Sequence, residues 1–429
     1  MKSKAEVPLF PILSVNFIGT LGFGIILPFL IYLVTSYGGN ALIYGILGAT
    51  YSAFQLLGAP LLGKWSDIFG RRKILLLSQL GTLFSWLIFF WAMHMPADGL
   101  TQINSAILGS FTLTMPLIVL FMARALDGLT GGNVSVANAY LADITPESER
   151  SKNFGKLAIS SNLGYVIGPA LAGLLGATAW GEKLPVLAAI LISFIASAII
   201  FFRLPEYSPR TIIDIPGKTN VRKIVGQEQK ECFKLECKEE ISFSFAMKMK
   251  DIRLLLIINF LVFLGFNFFY IAFPVYAVDA LKWDIALTGT FFSLLSIFMV
   301  LIQGPVLSFM SKKFSDNFLT MSGSVVLASS FLFFLSHSTW VIYIGALFLA
   351  IGNGIMWPSV LALISKTSPQ KFQGAIQGYS SSLGSAASII GLLCGGLIYN
   401  QLGAYIFVLA AVIIITIFII MILFRNNLQ

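Results

Sequence analysis

Apolar residues in this chain neither alternate nor keep to one helical face; they run on in long blocks separated by short polar clusters. A helix needs about 20 apolar residues to cross a hydrocarbon core. Twelve blocks reach that length, at 8–33, 41–62, 74–94, 115–140, 153–176, 183–203, 252–277, 286–310, 318–336, 339–364, 373–399 and 403–425. The pattern predicts an all-α membrane protein with 12 transmembrane helices, the one arrangement besides a closed barrel that satisfies every backbone polar group away from water. The first block follows Lys2 and Lys4 but continues past 20 apolar residues without a small-residue cleavage site. It therefore reads as a retained helix, not a signal peptide.

One long polar stretch, 204–250, interrupts this order. It is rich in Lys and Glu, has no apolar period, and divides the chain into an N-terminal six-helix bundle (1–203), a cytoplasmic linker loop (204–250) and a C-terminal six-helix bundle (251–429). The two halves are related. A constant offset of 223 sets 131–176 against 354–399 without a gap and matches Gly131 to Gly354, Pro146 to Pro369, Gly155 to Gly378, Ile167 to Ile390, Gly168 to Gly391 and Gly173 to Gly396. The loop between spans 2 and 3 aligns at 241, with Gly63 on Gly304, Arg71 on Lys312 and Arg72 on Lys313. A longer outer segment near 95–113 accounts for the difference. Glycines kept in register mark places where backbones approach or bend.

Composition agrees: 57% of the 429 residues are hydrophobic and 11% charged, against about 25% charged in soluble domains. The net charge is +9, but with both termini inside, 25 of the 28 Lys and Arg fall on one side, the exceptions being Lys183, Lys282 and Arg124. That bias fixes both termini in the cytoplasm and makes the excess a topology signal, so no nucleic acid is expected as a partner. The expected location is the plasma (inner) membrane, with lipid as the surrounding partner. Cys232 and Cys237 lie in the linker, where thiols stay reduced, and Cys394 is a small helix residue. His94 and His337 sit at outer span ends, and no Gly-x-x-x-x-Gly-Lys-Ser/Thr loop is present, which disfavours an ATP-driven pump or an enzyme. No cofactor and no metal are expected.

Within the apolar blocks one charged pair stands out, Arg124 and Asp127 in span 4. Such charge costs roughly 2.5–3.5 kcal/mol per residue even on lenient insertion scales, so function is the default reading. Three residues apart, the two side chains share a helix face. Three readings stay open: a protonatable Asp127 governed by Arg124, a static pair holding span 4, or an Asp127 close enough to the outer interface to be hydrated. The aligned positions of the second half are Leu347 and Ala350, so the pair is one-sided.

Residues 63–73, Gly-Lys-Trp-Ser-Asp-Ile-Phe-Gly-Arg-Arg-Lys, resemble the signature loop of the major facilitator superfamily, matching it at Gly63, Asp67, Gly70, Arg71, Arg72 and Lys73. Gly63 would let helices pack closely, and Asp67 suits a helix N-terminus. The resemblance implies that this helix is span 11, beginning near Gln373, and that Arg71 pairs with Asp143, the two contacts latching the cytoplasmic side. The second-half copy carries Ser308 for Asp67 and Ser311 for Gly70, so its latch should be weaker. Residues 124–132 resemble the Arg-containing span 4 motif. Gly164, Gly168, Pro169 and Gly173 resemble the span 5 motif of the superfamily's antiporters, and 22–28 the span 1 motif of twelve-span drug–proton antiporters. The whole chain looks most like tetracycline-type exporters, with departures: Gly19 stands at their span 1 acid, their span 3 acid falls near Ser85, and spans 8 and 9 have no His or Asp beyond their ends. Specific tetracycline export is therefore not implied.

The resemblance implies two bundles about a pseudo-twofold along the membrane normal with substrate between them. Candidate cavity residues are the mid-depth polar ones: Asn16, Gln55, Asn162, Asn259, Asn267, Gln303, Asn353 and Trp357. The expected function is secondary active transport by alternating access, as proton-coupled export of a small amphipathic or hydrophobic molecule, with Asp127 loading the proton. The family's members usually work as monomers. An uncoupled facilitator or uptake carrier, and a receptor or scaffold acting through 204–250, remain as alternatives.

Overall fold

The computed structural model describes residues 8–105, 109–131, 133–145, 150–206, 243–368 and 373–425; some side chains inside helices, those of Asp67 and Asn162 among them, also lie outside the described set. Most of the 204–250 linker falls outside it as well.

Seven helices make the first half, α1 (Phe10–Ser36), α2 (Ala41–Phe69), α3 (Arg71–Ala92), α4 (Met115–Thr130), α5 (Asn133–Ile144), α6 (Arg150–Gly176) and α7 (Lys183–Arg203); the short α8 (Phe243–Lys248) then leads into α9 (Lys250–Asp279) and α10 (Ile285–Leu301) of the second. There follow a π-helical turn (Ile302–Val306), α11 (Leu307–Met310), α12 (Asp316–Phe333), α13 (Thr339–Thr367), α14 (Gln373–Leu402) and α15 (Ile406–Arg425). Among the described residues these supply all twelve predicted crossings. Seven segments are each long and apolar enough to span unaided, and α1 joins them as a bent pair, turning by 46° between Ile26 and Phe29 where the chain carries Pro28. A proline ring cannot sit in a straight helix interior.

The structure corrects the sequence expectation at three points. Span 4, expected as one helix over 115–140, is two, because the helix ends at Gly131 and restarts at Asn133. Span 8 is α10, the π turn and α11, with Pro305 inside the turn. The outer segment near 95–113 is an antiparallel hairpin, β1 (Gly99–Ser105) with β2 (Gly109–Thr114). The Thr112 N–H donates to the Gly38 carbonyl at 2.8 Å, and a Cβ on Gly109 would lie 2.6 Å from Asn400 Nδ2. The hairpin thus lies across the end of the molecule opposite the termini, here the distal face.

Helix neighbours repeat between halves. α1 packs on α6 and α7, and α9 on α14 and α15; α3 packs on α4 and α7, and α12 on α13 and α15; α2 packs on α4, and α10 on α13. The halves meet chiefly through α6 with α10 and α2 with α14, a pair of contacts that the same repeat exchanges. One hydrogen bond makes the duplication explicit. Asn16 Nδ2 on α1 donates to the Leu157 carbonyl at 3.1 Å, and Asn259 Nδ2 on α9 donates to the Ser380 carbonyl at 3.0 Å; Leu157 and Ser380 are 223 apart, the offset read from the chain.

Buried apolar side chains form two clusters. The larger unites both halves, from Ile25 and Phe29 to Phe273, Phe291 and Phe407. The smaller (Ile12, Leu62, Leu75, Tyr140, Leu157, Ile200 and neighbours) is confined to the terminus-bearing end of the first half. Among the described residues the buried apolar contacts shared by the two halves belong to the larger cluster, and the smaller one lies within the first half.

Because interhelical hydrogen bonds in membranes average about 0.6 kcal/mol with an upper range near 1.7, Asn259→Ala should lower unfolding free energy by about 1 kcal/mol. Denaturant titration in detergent measures this, and an unchanged midpoint would contradict a role for the Asn259–Ser380 bond.

Candidate functional site

The backbone of α4 is held close on two sides. A Cβ on Gly58 of α2 would lie 2.0 Å from the Leu129 carbonyl oxygen, one on Gly128 2.3 Å from the Tyr51 oxygen, and one on Gly81 of α3 2.3 Å from Thr130 Cγ2. No larger residue fits any of these crossings. Clamped this way, α4 presents Arg124 and Asp127 to the bundle interior, only 3% and 9% exposed. Arg124 Nη1 donates to Asp127 Oδ2 at 3.3 Å. Its guanidinium carbon stands 4.7 Å from the centre of the Tyr51 ring, and its Nε has no hydrogen-bond partner. A desolvated cation over an aromatic face gains about 2 kcal/mol, which offsets part of the burial cost. The pair borders a crevice shared with Ser85, Trp86, Phe89 and Ala123 that is too narrow for a solute. Ser85, the position of the missing span 3 acid, thus lies beside the pair.

The contact network continues toward the break in span 4. Gln55 Nε2 donates to Tyr51 Oη at 3.0 Å and to the Gly131 carbonyl at 2.9 Å. Beyond the break, α5 carries Asp143, whose Oδ2 accepts from Arg71 Nε at 2.8 Å. Arg71 Nη1 also donates to Ser66 Oγ at 2.6 Å, and Ser66 Oγ to the Gly63 carbonyl at 2.6 Å. Arg72 Nε donates to the Ile200 carbonyl at 3.3 Å and its Nη2 to the Phe201 carbonyl, so it serves the carbonyl-rich end of α7. Lys73 is exposed. Gly70 has φ +100°, a conformation open to glycine, and turns α2 into α3. Gly63 has nothing within 4 Å of where a Cβ would stand, so close helix approach is not its role in this conformation. The Asp67 carboxylate and its expected partner at the start of span 11 lie outside the described residues.

The second half has its own version of the Arg71–Asp143 pair with the signs exchanged. Lys366, which the 223 offset aligns with Asp143, places Nζ 2.5 Å from Asp316 Oδ2. The lost signature residues Ser308 and Ser311 suggested a weaker copy; the pairing has moved to α12 and α13, where residue matching at 241 could not find it.

The antiporter-like glycines divide their work. Gly164 faces Thr20 and Phe17 of α1, Gly168 faces the Gly24 backbone, and Pro169 Cδ lies 3.1 Å from a Cβ placed on Gly24. Gly173 instead crosses into the other half, where its Cβ would stand 2.5 Å from the Gly289 backbone. Its repeat partner Gly396 meets Ala41 and Leu42, with Gly45 close by. Tyr32 Oη adds bonds to Thr288 Oγ1 at 2.5 Å and the Asp284 carbonyl at 2.9 Å. These contacts close the distal face.

The remaining polar candidates mostly cross-link helices. Asn16 donates to Ser160 Oγ and Ser161 Oγ besides Leu157, and Asn267 to the Phe263 carbonyl and Ser388 Oγ. Gln303 Nε2 and Asn353 Nδ2 both point at Met299 Sδ, at 3.9 and 3.8 Å. Trp357 packs edge-on against Phe263 with its Nε1 unpartnered. Sequence reasoning passed over Tyr51, although it lies one turn before Gln55 on the same helix face, and Met299, which carries no polar signal.

The Major Facilitator Superfamily model matches residues 12–315 and 255–428. The chain belongs to the major facilitator superfamily. It is 28% identical over 393 residues to "Tetracycline resistance protein, class D" of Salmonella ordonez, covering 91% of this chain and 89% of that one. To "Multidrug resistance protein 2" of Bacillus subtilis (strain 168) it is 23% identical over 409 residues, covering 94% and 92%. Its fold is similar to that of the human organic anion transporter MFSD10 (TM-score 0.65, 19% identity, 98% of this chain and 100% of that) and of a D-xylose–proton symporter (0.70, 15%, 96% and 97%). This is an integral multi-pass membrane transporter and not an enzyme. Two six-helix bundles are the superfamily architecture, and the contact pattern above follows it.

If the Gly173–Gly289 crossing keeps the distal face shut, Gly173→Leu should shift the population toward a distal-open state. A Ser293→Cys probe, shielded where Ser293 Oγ meets the Ala170 carbonyl at 3.2 Å, should then react with an impermeant maleimide roughly tenfold faster. Gly289→Leu should do the same from the opposite side; unchanged labelling in both folded variants would rule the seal out.

Proposed function

We infer that the chain is a proton-coupled exporter of small amphipathic or hydrophobic molecules, working by alternating access. The observation that carries this reading is the Arg124–Asp127 pair, buried at 3% and 9% exposure and connected by contacts to the break in span 4. Protonating Asp127 would neutralise the only carboxylate bonded to Arg124 among the described residues and weaken that bond, leaving the buried cation beside the Tyr51 ring. Gln55, whose Nε2 also donates to Tyr51 Oη, holds the Gly131 carbonyl at the helix break, and α5 beyond it carries Asp143. A change in the pair thus has a contiguous route to the Arg71–Asp143 latch.

The terminal face is assigned to the cytoplasm on the charge bias, and the membrane to the plasma (inner) membrane. The bodies that rock are residues 1–203 and 251–429, with 204–250 as their tether. With the distal contacts made, cargo in this conformation is taken to load from the cytoplasm. An amphipathic cargo suits the second half, whose chain carries no Asp, Glu, Lys or Arg between Asp251/Arg253 and Asp279, between Asp284 and Lys312, or between Asp316 and Lys366. There Phe263, Phe266, Tyr270 and Trp357 form a contiguous aromatic surface near Gln303 and Asn353, the residues assigned to the cavity wall with Asn16, Gln55, Asn162, Asn259 and Asn267. The similarity to tetracycline and multidrug resistance proteins points the same way. The working unit is taken as a monomer.

In everted vesicles an imposed proton gradient should drive accumulation of a hydrophobic fluorescent dye. Asp127→Asn should cut gradient-driven accumulation roughly tenfold or more, the range of a removed proton-transfer group, while dye counterflow without a gradient persists. Wild-type accumulation no greater with the gradient than without it would sink the coupled mechanism and leave an uncoupled facilitator, and gradient-driven accumulation unchanged in Asp127→Asn would remove Asp127 from it.

A further inference from the structure

We propose that the distal ends of α3 and α7 form a binding site for the headgroup of an anionic, hydroxyl-bearing phospholipid of the phosphatidylglycerol type. Phe90, His94, Ala179, Trp180, Lys183 and Leu187 line a cavity of about 370 Å³ there, in contrast to the narrow crevice beside Arg124. The site lies apart from the ion pair, the latch and the seal, and the transport reading makes no use of it.

Its lining is graded as a lipid is. Phe90 and Leu187 belong to the membrane-crossing parts of α3 and α7 and supply an apolar lower wall. Trp180 is 62% exposed and stands where amphipathic aromatic rings settle, at headgroup depth. Above it, Lys183 is one of only two Lys or Arg assigned to the distal side, Lys282 being the other. It therefore runs against the charge bias that the rest of the chain follows, at the one place where a cavity adjoins it. Lys183 is also the first residue of α7, whose N-cap makes no side-chain hydrogen bond; its own N–H donates to the Trp180 carbonyl at 3.2 Å, and the positive end of the helix dipole reinforces the potential. Glu182 is not among the lining residues and acts instead on Tyr37.

His94 supplies the second polar contact. Its ring packs on Phe90 at 4.6 Å between centroids, and Nδ1 lies 2.9 Å from the Phe90 carbonyl oxygen. That oxygen can only accept, so Nδ1 carries the hydrogen and the neutral ring leaves Nε2 as an acceptor. A cation for a phosphodiester and an acceptor for a hydroxyl, above an apolar wall, match a glycerol headgroup. A choline headgroup has no hydroxyl to donate and brings its own cation.

The test uses the full-length protein purified in detergent and titrated with dioleoyl-phosphatidylglycerol, dioleoyl-phosphatidylcholine or sodium phosphate. The expected results are retention of one phosphatidylglycerol per chain in native mass spectra, which Lys183→Gln abolishes, and an upward shift in thermal midpoint given by phosphatidylglycerol alone. His94→Ala should weaken retention of phosphatidylglycerol while sparing phosphatidic acid, which lacks the hydroxyls. Equal retention of phosphatidylcholine, or retention unchanged in Lys183→Gln, would overturn the proposal. A thermal shift reproduced by sodium phosphate would overturn the lipid assignment in favour of a simple anion site. None of these outcomes depends on whether the chain exports a solute or couples to protons.

Discussion

Helices in lipid gain little by hiding apolar surface from one another, because the surrounding chains are as apolar as they are; close backbone approach must supply the attraction. In this protein that requirement is met where the halves join. Gly173 lies against Gly289, and Gly396 against Ala41, Leu42 and the nearby Gly45. The two crossings occupy equivalent places in the repeat, one donated by each half, so the join has the symmetry of the molecule. Both sit toward the distal face. The terminal ends are under no matching constraint among the described residues, which is why the buried apolar cluster of the first half's terminal end stands separate.

Among the described residues charge is used differently, in ion pairs inside each half. Arg71 with Asp143 ties α3 to α5, and Lys366 with Asp316 ties α13 to α12. Hydrogen bonds from Asn16 and Asn259 tie the first span of each half to its fifth. Such cross-links make each half stiff, whereas the join between halves is mostly apolar and backbone-to-backbone. A mobile interface between two internally braced bodies follows from that division. Ion pairs resist separation from one partner at a time, because the charge left behind is costly; apolar faces can slide or part with a smaller and more graded loss.

Much of this was legible in the chain, and the reasons for the exceptions are physical. Twelve long apolar runs and the 223 offset announced the helices and the duplication, since span length and shared glycines are local signals. Arg124 and Asp127 stood out because charge inside an apolar run has no bland explanation. The break at Gly131 was not legible: a glycine in a helix can pack or end it, and only the amide of Gln55 waiting at its carbonyl decides which. The hairpin over 99–114 was hidden in a stretch of Thr, Ser and Gly with no strong alternation. Lys366–Asp316 was missed because residue-by-residue matching looks for conserved type, while a pair can keep its function with the two signs exchanged. The polar residues assigned to a cavity include several whose amides brace helices, a distinction of facing that sequence does not carry.

The halves differ most where the first one carries its charged pair. In the first half the irregularity lies in span 4, which ends at Gly131 beside the unbroken α2. In the second half the aligned Gly354 sits inside an unbroken α13, and the irregularity has moved to the facing helix, the π turn over Ile302–Val306. A Cβ on Gly354 would stand 2.8 Å from Ile302 Cγ2, so the two features touch. Each half therefore keeps one soft point at the same level, on opposite members of the same helix pair. Only in the first half does that point follow an ion pair on its own helix, with Tyr51 and Gln55 bridging the two. In the second half Leu347 and Ala350 stand at the positions aligned with the pair, so no equivalent ion pair faces the π turn. The duplicated scaffold thus carries two irregular points, and a single substituted turn of span 4 sets an ion pair on the helix of one of them.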